Sequence, residues 1–465
     1  MNPSFTLIAP KKPPPLDDLF RPAVLANHHF LEEANLGGTG IPLVIGLERL
    51  GGEISRFETL VYPEGHDRAD ANLGYIERIL KFLLWQRGGW KIYVGGPRSI
   101  GEYLRECYSA NGNRSFDYHF MGEDVYEKTF SVVPCDPADV PAASERGKPL
   151  GGHLDGCRIG FDLGASDRKV SAVIDGRAVF SEEVVWEPKI QNDPEYHCRE
   201  IMNSLKKAAE QMPRVDAIGG SAAGIYIDNR VRIASLFRGI PKERYGEVRS
   251  LFHRIQDEMG VPLEVVNDGD VTALAGSMSL EDVGVLGIAM GSSEAGGYVD
   301  MEGNITGWLN ELAFAPVDYN PLAPEDEWSG DRGVGAQYFS QECVFRLASK
   351  VGIEAPGEIS KAAQLEYVQE KLEAGEARAE LIWQSIGCYL GYAIAHYADF
   401  YNLKHVLLLG RCTSGRGGML ILDGATEVIE DEFPSIAAQV NIQLPDEGSR
   451  RIGQAIAAAS LPALG

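Results

Sequence analysis

Residues 158–174 read RIGFDLGASDRKVSAVI, and this stretch carries the strongest structural signal in the chain. An apolar strand runs into the loop DLGAS at 162–166, and a second apolar run returns from it. This pattern predicts a β-ribbon. Gly164 would let backbone N–H groups approach a phosphate, the Ser166 hydroxyl could donate to it, and the Asp162 carboxylate could hold Mg²⁺ through water. The alternative is a plain hairpin in which Asp and Gly form only the turn.

Two further strands end in small or polar residues. One is VDAIGGSAAG, and the other is PLEVV, which runs into Asn267-Asp268-Gly269-Asp270 ahead of a helix of small residues. Open α/β sheets hold their ligands at the carboxyl ends of strands. Asp268 could there take a proton from a substrate hydroxyl as a general base. The alternative is a helix N-cap, for which Asn and Asp are preferred, although three polar residues exceed what capping requires.

A second glycine-rich ribbon follows at 283–303, VGVLGIAMGSSEAGGYVDMEG. Its turn, which contains Gly291, Ser292 and Gly296, is a second candidate phosphate loop in the same strand-loop-strand setting. A long helical region at about 338–401, a strand ending at Gly410 and a last helix complete the chain. Two halves built from a ribbon and helices predict two lobes with a cleft between them.

The order of these motifs over residues 155–465 resembles the ROK family of sugar kinases and repressors, in the actin-like ATPase superfamily. The motifs are DxGxS, AIGGSAAG, NDGD, the glycine loop, GW-NEL and a strand ending in glycine. The resemblance implies an α/β, two-lobed actin-like ATPase (ribonuclease H-like) fold, with ATP and Mg²⁺ as cofactors. It makes Asp268 the general base and Asn267 and Glu311 substrate contacts. The cofactor contacts that it implies are Asp162, Gly164, Ser166, Gly291, Ser292, Gly296 and Gly410, with Asp162 holding Mg²⁺ through water.

Other positions depart from the family pattern. Phe314 stands where the family has a histidine that contacts the sugar and binds zinc, and the cysteine-rich zinc segment corresponds to 327–336, which contains no cysteine. We therefore expect no zinc site, and we expect glucose to be a poor substrate, because a phenyl ring cannot replace the lost hydrogen bonds.

The nucleotide loops depart from the family as well. Glu294 adds a carboxylate close to the expected phosphates, and Arg411 and Cys412 follow Gly410 in place of glycines. Two unit charges 4 Å apart repel by ~4 kcal/mol at an effective dielectric of 20, so an inward-facing Glu294 would weaken ATP binding. If it points outward, the cost is small.

Composition excludes several classes of partner. The net charge is −24 and no basic run is present, so we expect no nucleic-acid partner. No apolar stretch approaches 18 residues and the N-terminus lacks the apolar core of a signal peptide, so we expect neither membrane insertion nor export. Seven scattered cysteines without a CxxC spacing fit the reducing cytoplasm.

The expected organisation has four parts: an N-terminal surface arm (1–40), an α+β unit with its linker (41–150), and two lobes (151–283 and 284–465). The last helix could pack back on the first lobe. In the α+β unit we expect two strands around Gly51-Gly52, a helix over 75–87 and the strand WKIYVGG, with a proline-rich linker over 134–149.

The sequence therefore predicts an ATP-dependent phosphotransferase that acts on a hydroxyl of a small-molecule sugar or polyol. A homo-oligomer is compatible with this prediction. The alternative is a non-catalytic member that kept the nucleotide clamp as a sensor or scaffold. Intact carboxylates in the first loop and the ND motif favour the enzyme, whereas the altered second loop and adenosine loop favour the sensor.

Overall fold

A computed structural model of the chain describes residues 5–145, 150–357, 359–445 and 447–464. The chain divides into two units. The first unit contains Met1–Arg146, Ile288–Gly296 and Trp308–Leu444, and the second contains Gly147–Gly287, Gly297–Gly307 and Pro445–Gly465. Apart from the N-terminal arm, the division expected from the sequence remains a prediction.

The N-terminal part of the first unit builds a four-stranded sheet in the order β2-β1-β3-β4. Strand β1 pairs antiparallel with β2 and β3, and β3 pairs parallel with β4. The elements are α1 (Ala23–Asn35), β1 (Ile41–Glu48), β2 (Ile54–Val61), α2 (Ala71–Arg87), β3 (Lys91–Gly95), α3 (Arg98–Cys107), α4 (Ser115–His119) and β4 (Ser131–Cys135). The two strands around Gly51-Gly52 and the helix that stops before Gly88 are confirmed.

The surface arm predicted for residues 1–40 is wrong. Helix α1 lies within it and buries Val24, Ala26 and Phe30. Phe30 stacks on Tyr75 at 4.1 Å between ring centroids, and Phe20 lies 4.8 Å from Tyr389. The buried face of α1 consists largely of alanines at helical spacing, so its hydrophobic period is weak in the sequence.

The predicted linker also packs on the sheet. Ser144 forms an antiparallel bridge with Ile54 of β2, and the guanidinium of Arg56 donates to the Val140 carbonyl at 3.0 Å. Residues 146–149 of this predicted linker lie outside the described residues.

The second unit contains a five-stranded sheet in the order β11-β8-β5-β6-β7. Strands β5, β6 and β7 form the predicted antiparallel ribbon, and β5, β8 and β11 run parallel. The elements are β5 (Cys157–Leu163), β6 (Asp167–Ile174), β7 (Arg177–Val185), α5 (Pro194–Ala209), β8 (Ala217–Ala222), β9 (Ile225–Ile227), β10 (Arg230–Ile233), α6 (Tyr245–Arg249), α7 (Leu251–Met259), β11 (Leu263–Asn267) and α8 (Asp268–Leu280).

The second glycine-rich ribbon belongs to a four-stranded sheet in the order β13-β12-β14-β15. The predicted long helical region is divided into three helices. The elements are β12 (Val285–Met290), β13 (Glu294–Val299), α9 (Gln341–Lys350), α10 (Lys361–Glu373), α11 (Ala377–Ala398), β14 (His405–Leu409), α12 (Arg416–Glu432), α13 (Pro434–Ala437), β15 (Asn441–Gln443) and α14 (Glu447–Ala459). None of the helices in the described part of the chain has the length and apolar character needed to span a bilayer.

The closing helix α14 packs directly on the five-stranded sheet of the second unit. A Cβ on Gly160 of β5 would lie 2.2 Å from the Ala455 carbonyl oxygen, and a Cβ on Gly219 of β8 would lie 1.7 Å from that of Ala458. These glycines are therefore required by the close approach of helix and sheet. The face that carries them also carries the candidate active site.

Candidate active site

Three parallel strands of the second unit end at one edge of the sheet with polar side chains. Asp162 ends β5 in register with Ser221 of β8, and Asn267 ends β11 one register position further along. The Ser221 hydroxyl donates to Asp162 Oδ1 at 2.8 Å. Parallel pairing thus brings together side chains that are far apart in the sequence.

Asn267 and Asp268 lie next to each other at the start of helix α8 but have different roles. Asn267 is the N-cap: its Oδ1 accepts the Gly269 N–H at 2.7 Å, and its Nδ2 donates to the Gly224 carbonyl at 2.8 Å. Asp268 Oδ1 shares the Gly269 N–H at the longer distance of 3.1 Å. The Asp268 carboxylate is therefore largely free of the capping role, whereas Asn267 keeps one amide hydrogen for the predicted substrate contact.

Burial and mutual repulsion set the protonation of the two aspartates. Burial, and then the charge of Asp162, raise the pKa of Asp268 from 3.8 to about 6. Burial also raises the pKa of Asp162, while the hydrogen bond from Ser221 opposes that rise. Desolvated carboxylates next to each other are stabilised by a divalent cation, and Mg²⁺ commonly takes one or two carboxylates with the remaining positions left to water and phosphate. The residues present therefore fit Mg²⁺.

The first predicted phosphate loop is held by hydrogen bonds within the protein. The Gly164 N–H donates to the Asp167 carbonyl at 2.9 Å, and the Gly164 carbonyl accepts from the Trp186 indole at 2.9 Å. The Ser166 hydroxyl donates to Asp167 Oδ2 at 3.1 Å. Two of the donors expected to face a phosphate are thus engaged inside the loop.

The second predicted loop lies in the first unit, where Ser292 is exposed at its tip. The Gly291 N–H donates to the Ser293 carbonyl at 3.0 Å, and the Gly291 carbonyl accepts from the Gln341 N–H at 2.9 Å. A Cβ on Gly296 would lie 2.6 Å from the Asn310 carbonyl oxygen. Close packing therefore requires glycine at 296, whatever ligand the loop takes.

Glu294 turns into the interior of the first unit. It is 4% exposed, its Oε1 accepts from the Tyr397 hydroxyl at 3.4 Å, and its Oε2 has no hydrogen-bond partner among the described residues. A Cβ on Gly335 would lie 2.0 Å from that Oε2. Burial raises the pKa of Glu294 from 4.5 to about 8, so the side chain is largely protonated at neutral pH. A neutral carboxyl in the protein interior removes most of the repulsion that an ionised Glu294 would exert on a nucleotide.

The end of helix α2 holds the predicted substrate residue Glu311. The Glu311 N–H donates to the Trp85 carbonyl and the Asn310 N–H to the Gln86 carbonyl, both at 2.9 Å. The last carbonyls of a helix have no partner within it, so this segment caps α2. Helix α2, which sequence reasoning assigned to a separate unit, therefore positions the backbone of Glu311.

An aromatic cluster surrounds Phe314, which the resemblance placed at the position of a family histidine. Its ring centroid lies 4.5 Å from that of Trp85 and 5.0 Å from that of Trp328. Trp328, from the segment that corresponds to the zinc motif, also contacts Phe116 and Phe120 edge-on at 5.2 and 5.4 Å. Aromatic packing thus holds this segment, and the absence of structural zinc remains a prediction.

A buried charge network holds the same segment on helix α2. Asp331 forms ion pairs with Arg114 at 2.8 Å, Arg78 at 3.3 Å and Lys81 at 3.5 Å. These cations keep the pKa of Asp331 far below its usual value, although burial opposes the effect. The Lys81 ammonium also donates to Asp117 at 2.7 Å. Sequence reasoning missed this network; its visible trace is the pair of cations Arg78 and Lys81, three residues apart on a helix whose buried residues are mostly apolar.

Gly410 ends strand β14 with φ of +96°, and a Cβ there would lie 2.3 Å from the Met290 carbonyl oxygen. Beyond it, Arg411 is exposed and Cys412 is buried. The structure thus explains Gly410 by the close approach of β12, and its role beside adenosine remains a prediction.

Comparison with known proteins finds solved structures that share this fold. No protein-family model and no curated protein sequence matches the chain. A ROK hexokinase from Thermus thermophilus matches 65% of this chain and 97% of its own, at 18% identity and a TM-score of 0.51. A ROK family transcriptional regulator, a homologue of the E. coli MLC protein, matches 78% of this chain and 89% of its own, also at 18% identity and a TM-score of 0.51. The resemblance expected from the motifs is therefore confirmed at the level of the fold.

Proposed function

We propose that this chain, which has the fold of ROK family proteins, is an ATP-dependent phosphotransferase that acts on a hydroxyl of a sugar or related polyol. One observation carries the proposal. Asp268 lies beside Asp162 at the carboxyl edge of a parallel sheet, outside the capping role that Asn267 fills, with its pKa raised to about 6. A carboxylate with such a pKa is ionised at neutral pH and still basic enough to accept a proton.

Each residue of this edge has a role in the proposed reaction. Asp268 accepts the proton of the acceptor hydroxyl as its oxygen attacks the γ-phosphorus. Ser221 fixes the rotamer of Asp162 through its 2.8 Å hydrogen bond, so the Asp162 carboxylate is oriented before a ligand arrives. When bound by Asp162, directly or through water, Mg²⁺ would supply charge neutralisation to the phosphates. Phosphoryl transfer needs little else from the protein than positioning and charge.

The test is turnover by the purified protein and by Asp268→Asn. We expect ³¹P NMR to show ADP and a phosphate ester with at least one member of a panel of hexoses, amino sugars and polyols. In Asp268→Asn, turnover should fall by about 10²- to 10⁴-fold while the affinity for Mg²⁺-AMPPNP stays the same. Asp257→Asn, an exposed aspartate on α7, is the matched control. Unchanged turnover in Asp268→Asn would remove Asp268 from the mechanism.

A second candidate function is a sensor that binds a sugar or nucleotide without turnover. The internal hydrogen bonds of Gly164 and Ser166, together with Arg411 and Cys412 after Gly410, favour it. The fold match to a ROK regulator over 78% of this chain is compatible with it. Tight binding of a ligand from the same panel, with no product in ³¹P NMR, would select the sensor over the enzyme.

We also propose a cytoplasmic protein whose partners are small sugars or polyols and which does not bind nucleic acid. All seven cysteines are unpaired, and six of them are buried. Unpaired cysteines persist in a reducing compartment, which is the basis of this assignment. Localisation by fractionation tests it, and a homo-oligomer is compatible with every feature given.

A further inference from the structure

A line of charged and polar side chains crosses the sheet of the second unit. Lys169 of β6 is the direct register partner of Asp162 on one side and of Glu183 of β7 on the other. Asp162 is in turn the register partner of Ser221. Side chains in register on neighbouring strands share a face and lie about 5 Å apart at Cβ. Glu183, Lys169, Asp162 and Ser221 therefore form one ladder, although their positions in the sequence give no hint of it.

Three members of this ladder, Glu183, Lys169 and Asp162, line a cavity of about 240 Å³ between the sheet and helix α14. The cavity is also lined by the hydroxyls of Ser171 and Ser181 and by Gln454 of α14. Its opposite wall exists because Gly160 lets the backbone of α14 approach. Among the described residues that line it, Lys169 is the one cation.

The ammonium of Lys169 is available to a ligand. Its side chain is 41% exposed, and its ion pair with Asp167 is long, at 3.4 Å. Exposed pairs of this kind contribute little to stability, so the pair is released at little cost. Two other donors of the loop are occupied, since the Gly164 N–H and the Ser166 hydroxyl both bond to Asp167.

We infer that Lys169 is a phosphate-binding residue of this protein, whose ammonium contacts a phosphoryl oxygen of the nucleotide in the cavity beside Asp162. This inference rests on the proposed function and adds to it a contact that the family resemblance does not supply. A lysine acts on phosphate as a point charge, and a hydrogen bond to a charged group changes affinity by about 10- to 100-fold.

The carboxylates of Asp162 and Glu183, on either side of Lys169, also determine in what form a nucleotide can bind. A phosphate 4 Å from the carboxylate of Asp162 or of Glu183 is repelled by it. The single positive charge of Lys169 cannot offset the repulsion from both carboxylates. Nucleotide binding here therefore requires a divalent cation to neutralise Asp162, and Lys169 serves as the fixed charge beside it. The nucleotide alone, without Mg²⁺, should not bind.

The experiment is calorimetric titration of the full-length protein with AMPPNP, with Mg²⁺ or with EDTA. The variants are Lys169→Gln, which removes the charge, and Lys169→Arg, which keeps it. Lys206→Gln is the matched control, because Lys206 lies on α5 and, among the described residues, pairs only with Glu258, across an exposed bridge of 2.8 Å. Circular dichroism establishes that each variant is folded.

We expect Mg²⁺-AMPPNP to bind the parent protein and Lys206→Gln equally, and EDTA to abolish binding. Lys169→Gln should bind about 10- to 100-fold more weakly and show a smaller dependence on salt, while Lys169→Arg should stay within about threefold of the parent. Equal affinity in Lys169→Gln, or equal losses in the Gln and Arg variants, would overturn the inference and leave the proposed function intact. A parent protein that fails to bind Mg²⁺-AMPPNP at all would overturn both.

Discussion

At the scale of single residues, Asp268 and Glu294 are both carboxyl groups with raised pKa values, yet their surroundings give them different roles. Asp268 lies half-buried at the edge of a sheet, close to a second carboxylate. Glu294 lies in the interior of the first unit, with one oxygen unpartnered. The first is placed to exchange a proton with a substrate, whereas the second is placed to stay neutral.

The pH dependence of turnover should report on Asp268. Its pKa of about 6 lies above the usual 3.8, and a general base must be ionised to act. We therefore expect kcat/KM to be constant above about pH 7 and to fall tenfold per pH unit below about pH 6. Because Asp162 lies beside Asp268, the inflection belongs to the pair. A profile flat down to pH 5 would contradict the assignment.

Glu294 should make folding stability depend on pH. Below pH 4.5 the carboxyl is protonated in both the folded and the unfolded chain, so it has no effect. Between 4.5 and about 8 the unfolded chain releases the proton and the folded chain keeps it, so stability falls as pH rises. Each pH unit in this interval removes about 1.4 kcal/mol from the free energy of unfolding.

The variant Glu294→Gln, which is neutral at every pH, should remove this dependence. We expect it to stay within about 1 kcal/mol of the parent in stability near pH 5 and to exceed it by about 3 kcal/mol or more near pH 8. Urea denaturation across this pH range measures the effect, and Glu302→Gln, at an exposed glutamate, is the control. If the free energy of unfolding depended on pH in the same way for Glu294→Gln and the parent, Glu294 would be shown to ionise normally.

At the scale of elements, helix α2 joins the N-terminal sheet to the segment around Glu311. Its last carbonyls bind the backbone of 310–311, Trp85 packs on Phe314, and two of its cations bind Asp331. In this protein, aromatic and ionic contacts with α2 hold the segment for which the family resemblance implied zinc.

Removing Asp331 should therefore destabilise the first unit strongly. Asp331→Asn leaves Arg78, Lys81 and Arg114 in a buried site with Glu77 and Asp117 as their remaining acidic partners among the described residues. One cation then lacks a counter-charge, and an uncompensated buried charge costs about 3–5 kcal/mol. Glu325→Gln, which breaks an exposed ion pair with Arg332 in the same segment, should cost less than about 1 kcal/mol. Chemical denaturation compares the two. If both variants lost less than about 1 kcal/mol of stability, the result would mean that water reaches the charge network around Asp331.

At the scale of the whole molecule, the N-terminal residues belong to the same unit as residues 308–444. Phe20 lies against Tyr338 and Tyr389, and the Gln86 amide donates to the Phe400 carbonyl at 3.0 Å. The N-terminal part thus supplies contacts to the core of the first unit.

A chain that begins at residue 151 should therefore not fold alone. Removing residues 1–150 exposes the aromatic face of α11. It also removes Arg78, Lys81 and Arg114, the cations that pair with Asp331. We expect this truncated chain to be insoluble, or to lack the near-ultraviolet circular dichroism of the full chain. A soluble, cooperatively unfolding product would instead support the appended unit predicted at 41–150.

The sequence by itself determined the strand–loop–strand ribbons, the DLGAS and ND motifs and hence the fold, because glycines at turns and apolar runs in strands are local patterns that each segment carries alone. It also predicted Asp268 as a candidate site residue, since a polar cluster after a buried strand is visible along the chain. Only the tertiary structure decided where Glu294 points, that Asn267 takes the cap, and that Lys169 lies between Asp162 and Glu183. It also showed that helix α1 is buried and that α2 holds the Glu311 segment. The burial of Glu294 and of α1 and the contact of α2 with the Glu311 segment depend on residues far away in the chain, which no local window of sequence contains. The cap at Asn267 and the position of Lys169 depend on side-chain geometry and strand register, which the residue pattern alone does not fix.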